Sequence, residues 1–194
     1  PIAVHPGPEP ASRWQEILSK PDPLSWLSSE GRIFYASDAD QDDKVTGQTS
    51  FAATTPTFLL DVPTGSVAIP LLMRLFQTGT VAGGAVDVIV EFDNAARFTS
   101  GTTETILSSR TDQPVPSTCT LYSTVTAAAG YGIRIAGYTL GQDVSPAEGA
   151  VNEIIWTPSA GLDLLVGPAA WLVYTYAATT GPTWFWSFKW AAIP

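Results

Sequence analysis

Two aromatic-rich segments near the end of the 194-residue chain constrain its fold more than any other feature. Residues 170–177 (AWLVYTYA) and 183–190 (TWFWSFKW) are dense in the β-branched and aromatic side chains that favour strands. A turn-prone connector, residues 177–182, separates them, so the pattern predicts a β-hairpin. In the second segment alternate residues are large aromatics on one face of a strand: Trp184, Trp186, Phe188 and Trp190. Such a face must pack on a second sheet or on another molecule.

The chain from about Gly31 onward is a series of short strand patterns divided by turn signals. The predicted strands are residues 32–36, 57–62, 67–77, 85–93, 103–108, 118–126, 131–140, 151–157, 171–177 and 183–192. Helical periodicity is nearly absent here, so the pattern predicts an all-β antiparallel sandwich of jelly-roll type over residues 31–194. Pro70 lies inside a predicted strand without a backbone donor, which predicts a bulge or an edge position.

Residues 1–30 differ in composition and predict an extended, Pro-rich N-terminal arm. Within the arm, residues 11–19 carry Trp14, Ile17 and Leu18 at the i, i+3, i+4 spacing of a short amphipathic helix, with Ser12 as its N-cap. Such an arm either reaches a neighbouring subunit or folds back onto its own domain, and the sequence does not choose between them.

Composition argues against several classes of partner. Charged residues make up only 14% of the chain and hydrophobic residues 45%, a balance expected where partner subunits cover much of the surface. The formal net charge is −9 and the nine Lys and Arg residues are scattered, which argues against binding to nucleic acid. No segment approaches the ~20 apolar residues of a membrane span, so no membrane partner is expected. Cys119 is the single cysteine and is predicted to be a buried, inert thiol.

One acidic loop is the candidate for a metal site. Asp38, Asp40 and Asp42 alternate in it, as in calcium loops whose oxygens converge on a hard cation. An EF-hand needs Gly at the sixth position and an acidic ligand at the twelfth, where Asp43 and Thr49 stand. We therefore expect a solvated acidic loop, keep Ca²⁺ as the alternative, and expect no other cofactor.

Residues that could carry catalysis are few, and the chain is predicted not to be an enzyme. Asp87, Glu91 and Asp93 share the polar face of one predicted strand, at a spacing that could hold the acid pair of a glycosidase. A row of carboxylates on the wetted face of an amphipathic strand is the commoner arrangement and is the expectation here. His5 is the only histidine and lies in the arm, so we expect an ordinary surface side chain.

The aromatic row supports an alternative function. Trp184, Trp186 and Trp190 could form a sugar-stacking platform, which would make the chain a carbohydrate-binding β-sandwich module. Phe188 completes the row and no polar side chain interrupts it. That continuity favours burial against a sheet or a subunit over exposure.

Three features are shared with one class of protein: Thr/Ala/Gly-rich strands such as residues 78–85 (TGTVAGGA), the Pro-rich arm, and the terminal segment 171–177 (WLVYTYA). In these the chain resembles structural proteins of tailed-phage and related viral particles. The resemblance implies a jelly roll that assembles around a symmetry axis, and a location in the virion as a capsid, cement (decoration) or tail-associated subunit. It implies contacts with its own copies, as a trimer or higher ring, and with other virion proteins, and it carries over no catalytic residue.

If the chain assembles, its large aromatic side chains are expected at the subunit interfaces, since such residues dominate binding energy. The predicted interface residues, buried by neighbouring subunits or by the opposing sheet, are Trp14, Ile17, Leu18, Trp184, Trp186 and Trp190. The first thirty residues hold only Arg13 and Lys20 as basic side chains, too few for a genome-binding arm. The subunit is therefore expected in or on the shell, without direct contact to nucleic acid.

Overall fold

A computed structural model describes residues 22–38, 43–78, 81, 85–112, 114–140, 152–159 and 161–194 of the chain. In these residues one helix precedes thirteen strands. The elements are α1 (Pro23–Ser29), β1 (Ile33–Ser37), β2 (Val45–Thr46), β3 (Phe58–Val62), β4 (Val67–Thr78), β5 (Val86–Asp93), β6 (Phe98–Thr103), β7 (Leu107–Ser108), β8 (Thr120–Ala127), β9 (Ile133–Leu140), β10 (Glu153–Trp156), β11 (Leu165–Val166), β12 (Ala169–Ala177) and β13 (Thr183–Ile193).

The strands form two antiparallel sheets packed face to face, which confirms the predicted all-β sandwich. The seven-stranded sheet has the order β10-β4-β13-β1-β7, with β11 also paired to β4 and β2 also paired to β13. The six-stranded sheet has the order β6-β8-β3-β12-β5-β9. The long strands β13 and β12 therefore lie in the middle of their sheets, where both faces can be buried.

The predicted terminal hairpin is wrong, because β12 and β13 belong to different sheets. Strand β12 pairs with β3 and β5, whereas β13 pairs with β4 and β1. The connector carries no two-residue Asn-Gly or Asp-Gly turn to favour direct pairing of the two segments. Placed in facing sheets, the two aromatic segments bury their inner faces against each other, as in the contact of the Trp171 and Phe188 rings, 5.2 Å apart.

The aromatic row of β13 forms the centre of the main core. Trp184, Trp186, Phe188 and Trp190 are between 0% and 3% exposed. The Phe58 ring of the six-stranded sheet lies 5.2 Å from the ring of Trp186 and 5.1 Å from that of Phe188, centroid to centroid. The same chain thus supplies the second sheet that the alternation requires.

Pro70 lies at a bulge, as predicted. Pairing between β13 and β4 passes from Lys189–Leu72 to Trp190–Pro70, which leaves Leu71 as the extra residue. On its other edge β4 pairs with β11 at residues 67–68 and with β10 at residues 73–76. Pro70 falls between these two partners, where its missing N–H interrupts no ladder.

The predicted strand at residues 103–108 is wrong as a single element. The chain instead makes β6 in the six-stranded sheet and β7 in the seven-stranded sheet. Strand β6 has the sequence FTSGTT, is largely exposed, and shifts register twice against β8. Backbone pairing at an edge rather than apolar burial places it, so hydrophobic alternation gives no signal.

The helix α1 was not predicted, and it covers the outer face of the seven-stranded sheet. Asp22 caps it by accepting a hydrogen bond from the Ser25 N–H at 3.2 Å, and Pro23 occupies its first turn. Leu27 is fully buried in a cluster formed with β1, β4 and β13, whose members include Val67, Ile69, Ala191 and Ile193. The last residues of the predicted arm, from Pro23 on, thus pack on the sandwich, and Trp14, Ile17 and Leu18 lie outside the described residues.

Replacing Trp186 with Ala should lower the free energy of unfolding by about 3–5 kcal/mol, because a buried indole leaves a cavity between the sheets. Trp186→Phe should cost less, since a ring still fills part of that space. Ser187→Ala on the outward face of the same strand is the matched control and should change stability by less than about 0.5 kcal/mol. Urea unfolding followed by circular dichroism measures all three, and equal losses for Trp186→Ala and Ser187→Ala would contradict the packing described.

Candidate functional site

The tryptophan row does not form an accessible surface. The indoles of Trp184, Trp186 and Trp190 are covered by the six-stranded sheet of their own chain. The sequence allowed these side chains to be buried by a neighbouring subunit or by the opposing sheet. In the structure the opposing sheet buries them. A sugar-stacking platform built on the three indoles has no exposed ring to use.

The acidic loop is described only at its two ends. Asp38 follows β1, and its N–H donates to the Trp186 carbonyl at 3.4 Å. Asp40 and Asp42 lie outside the described residues. Burial raises the pKa of the Asp38 carboxyl, and the negative charge of Asp43 adds to the rise. The calcium alternative stays a prediction for this loop.

A polar cleft of about 400 Å³ opens beside the loop, between β2 and strands β6 and β8. Asp43, Lys44, Glu104 and Ser123 are among the side chains that line it. Burial raises the pKa of the Glu104 carboxyl, opposed by a hydrogen bond with Ser123 and reinforced by Asp43. Within the described ranges no three His, Cys, Asp or Glu side chains are grouped to hold a metal ion.

The carboxylate row of β5 does not lie on a fully wetted face, which corrects the expectation. Asp87 accepts a hydrogen bond from the Thr139 hydroxyl at 2.7 Å, but Glu91 is only 3% exposed. Residues 48–56, between β2 and β3, cross this outer face of the six-stranded sheet. The ring of Phe51 in that segment lies 5.0 Å from the Tyr174 ring. The segment has no periodic apolar pattern, so nothing in its sequence indicates that it covers a sheet.

Arg97 ties the covering segments to the sheet. Its buried guanidinium donates to Asp93 Oδ2 at 2.5 Å and to the backbone carbonyls of Ala53 at 3.1 Å, Ala128 at 2.8 Å and Gly130 at 2.9 Å. With these four hydrogen bonds the Arg97 side chain holds two loops together, those of Ala53 and of Ala128 and Gly130. Asp93 is therefore engaged in an ion pair with Arg97.

Cys119 and Tyr174 are buried groups that hold their protons tightly. Burial raises the pKa of the Cys119 thiol to about 12, in agreement with the predicted inert thiol. Burial, together with the charge of Glu91, raises the pKa of the Tyr174 hydroxyl to about 12. That hydroxyl donates to the Ala53 carbonyl at 3.1 Å, so it also holds the segment that crosses the sheet.

Exposed apolar side chains gather at the two lateral edges of the sandwich. In the described part of the chain seven large apolar residues are exposed: Tyr35, Leu107, Tyr131, Ile133, Ile135, Ile155 and Val166. Contiguous exposed apolar surface of this kind marks interaction sites more often than isolated residues do.

The first group, here the edge patch, consists of Tyr131, Ile133, Ile135 and Val166. Tyr131 and Ile133 are 79% and 76% exposed, and both line a groove of about 280 Å³ together with Val166. Ile133 and Ile135 belong to β9, the last strand of the six-stranded sheet in the described residues. The patch is thus an apolar surface along an open sheet edge.

The second group, here the edge groove, is built on Tyr35 and Leu107. These two residues face each other across the pairing of β1 with β7, the outermost strands on the far edge of the seven-stranded sheet. Tyr35 is 42% and Leu107 66% exposed. They line an apolar depression of about 520 Å³ whose other walls are Ser108, Ser109, Thr111 and Pro114.

Sequence reasoning missed both edge surfaces. Ile133 and Ile135 alternate with Arg134 in the strand pattern, and that was the only local signal for the edge patch. Tyr35 and Leu107 are far apart in the chain, so their juxtaposition depends on the pairing of β1 with β7 and leaves no local pattern.

Comparison of the chain with protein-family models, curated proteins and solved structures finds no match. Within the described residues, no helix has the length and apolar character needed to cross a membrane.

Raising the pH from about 9 to about 12 should lower the free energy of unfolding. The ordinary pKa values are 9.0 for the Cys119 thiol and 10.0 for the Tyr174 hydroxyl, and both are raised to about 12 in the folded chain. Over this interval the folded chain keeps protons that the unfolded chain releases, so stability that is fully present below pH 9 is lost as the pH rises.

Urea unfolding at about pH 8 and pH 10.5 measures this dependence. The combined variant Cys119→Ala with Tyr174→Phe should lose part of the slope, while Tyr138 and Tyr176, whose pKa values are also raised, keep the rest. An unchanged slope in the variant would contradict the assignment.

Proposed function

We propose that the chain is a non-enzymatic structural subunit of a virus or phage particle, and that its sandwich is a jelly roll that self-assembles. The observation that carries the proposal is the nested pairing of eight strands. In chain order these are β1, β3, β4, β5, β9, β10, β12 and β13.

The nesting runs from the ends of the chain inward. The first of the eight strands pairs with the last, β1 with β13, and the second with the seventh, β3 with β12. The third pairs with the sixth, β4 with β10, and the fourth with the fifth, β5 with β9. A long two-stranded ribbon rolled into two sheets has this order, which is why the pairing supports a jelly roll.

Three of the five remaining strands widen one side of this arrangement. Strands β6, β7 and β8 all lie between β5 and β9 in the chain. Strand β7 extends the seven-stranded sheet beyond β1, and β8 and β6 extend the six-stranded sheet beyond β3. The inserted segment thus builds the side that carries the edge groove. Among the described strands, β9 and β10 are the edge strands on the opposite side.

Jelly rolls serve in viral capsids, lectins and cupins, so the fold alone does not select a function. Three properties favour a structural subunit: the low charged fraction of 14%, the apolar surfaces at two edges, and the Pro-rich composition of residues 1–21. The carbohydrate-binding alternative relied on Trp184, Trp186 and Trp190, whose burial removes the observation that favoured it.

The proposal places the chain in the virion as a coat, cement or tail-associated subunit that contacts its own copies and other virion proteins. A net charge of −9 and an N-terminal segment with only Arg13 and Lys20 support a position in or on the shell without direct contact to nucleic acid. Trp14, Ile17 and Leu18 of the arm are proposed to contact a neighbouring subunit.

Two truncations test the proposed role of the arm. Removing residues 1–20 should leave the sandwich folded, because α1 and its buried Leu27 remain. It should weaken assembly, because it removes the arm residues proposed to contact a neighbouring subunit. Removing residues 1–30 is the comparison and should also lower the thermal midpoint, since it uncovers the outer cluster around Val67 and Ile69.

Circular dichroism and mass photometry follow folding and assembly in both truncations. A parent chain that stays at 20.6 kDa at every concentration, with tryptophan fluorescence quenched by sugars, would support carbohydrate binding instead. Recovery of the chain in many copies within native particles would support the structural role.

A further inference from the structure

We propose that copies of this chain associate head to tail, with the edge patch of one copy occupying the edge groove of the next. The inference rests on the proposed assembly function and assigns the surfaces that carry it. Each copy then offers one patch and one groove on opposite sides of the sandwich, an arrangement that builds a ring or a filament.

The distribution of exposed apolar residues supports this pairing of surfaces. All seven of them, within the described residues, lie on the outermost strands of the two sheets or beside them. Ile133, Ile135, Ile155 and Val166 belong to β9, β10 and β11 on one side, whereas Leu107 belongs to β7 on the other. The contact of the Trp156 and Phe92 rings, 6.0 Å apart, places β10 on the same side as β5 and β9.

Within the described residues, strand β9 has little of the usual protection of an edge strand. It is eight residues long, and Arg134 is its only charged side chain. Sheet edges in soluble proteins are usually blunted by lysine, proline or a covering element, because open backbone groups recruit another chain. Strand β9 has one such device, a register shift next to Ile135, and otherwise presents its isoleucines and backbone outward.

Charge complementarity favours the groove as the partner of this edge. Arg134 lies between Ile133 and Ile135 and is exposed. The depression that continues the groove past Tyr35 and Leu107 ends at Asp38. The ion pairs within the described residues join Arg74 to Glu153, Arg97 to Asp93 and Arg110 to Asp112, and include neither Arg134 nor Asp38. An edge that inserts its isoleucines into the groove can bring these opposite charges together.

A second copy is favoured over an unrelated partner because one chain carries both complementary surfaces. A symmetric dimer through two β9 edges would bring Arg134 near its own counterpart and would leave Tyr35 and Leu107 uncovered. The head-to-tail arrangement covers both apolar surfaces at once and pairs unlike charges.

The test uses two variants of the full chain, each with one surface disabled. Ile133→Asp places a charge in the edge patch and Leu107→Asp places one in the edge groove. Both side chains are exposed, so the fold should persist, as judged by circular dichroism and the thermal midpoint. Each variant should raise the apparent dissociation constant of self-association about tenfold or more in mass photometry.

Mixing the two variants separates head-to-tail from symmetric association. The Ile133→Asp copy keeps an intact groove and the Leu107→Asp copy keeps an intact edge, so the mixture should form 1:1 dimers that do not grow further. Thr180→Asp, which adds the same charge on the exposed β12–β13 connector, is the matched control and should assemble like the parent. If an aspartate variant misfolds, Ile133→Ser and Leu107→Ser replace the pair.

A charge exchange tests the polar part of the contact. Arg134→Asp and Asp38→Lys should each weaken association, and the double variant should recover it. The surface assignment would be overturned if the mixture of Ile133→Asp and Leu107→Asp stayed monomeric. It would also be overturned if each of these variants alone assembled like the parent. A parent chain that never self-associates would instead overturn the proposed assembly function.

Discussion

The contact between the aromatic row of β13 and the middle of the six-stranded sheet is the interaction on which the rest of the structure depends. Phe188 meets Phe58 and Trp171 at centroid distances of 5.1 and 5.2 Å, so the central strands of both sheets share one cluster. Four buried indoles have an N–H group without a hydrogen-bond partner in the described residues: Trp171, Trp184, Trp186 and Trp190. Ring packing and apolar burial must therefore outweigh the desolvation of those donors. The other strands of each sheet pair outward from these two central strands.

Local patterns in the sequence predicted the features that local geometry decides. The aromatic residues at every second position identified β13 and its buried face, because side-chain alternation acts within one strand. Pro70 identified the bulge in β4, because a missing backbone donor also acts within one strand. The hairpin prediction failed because the partners of β12 and β13 are distant strands, chosen by packing across the whole sandwich. The helix α1 escaped notice because it is only seven residues long, too short for a 3.6-residue periodicity to stand out.

Prediction of the candidate site met a different limit. A run of tryptophans indicates burial, but the sequence does not say whether the same chain or another covers it. Residues 48–56 lie on the outer face of the six-stranded sheet, where a wetted face was expected, and their placement depends on hydrogen bonds from Arg97 and Tyr174. The edge groove exists only after β1 and β7 pair, so Tyr35 and Leu107 carry no joint signal in the sequence. Assembly surfaces made by distant segments are thus the part of such a protein that single-sequence reasoning reaches last.

The way in which Arg97 holds its two loops has an evolutionary consequence. Three of its four acceptors are main-chain carbonyls, those of Ala53, Ala128 and Gly130. A carbonyl is present whatever side chain a residue carries, so substitutions at Ala53 and Ala128 keep these two acceptors. Gly130 is the exception, because an added Cβ there would lie 3.1 Å from the Arg97 guanidinium. Tyr131 directly follows the anchored Gly130 and is the most exposed large apolar residue described. Its identity can drift under selection by a binding partner while the scaffold beneath it keeps its shape, which separates the evolution of recognition from that of stability.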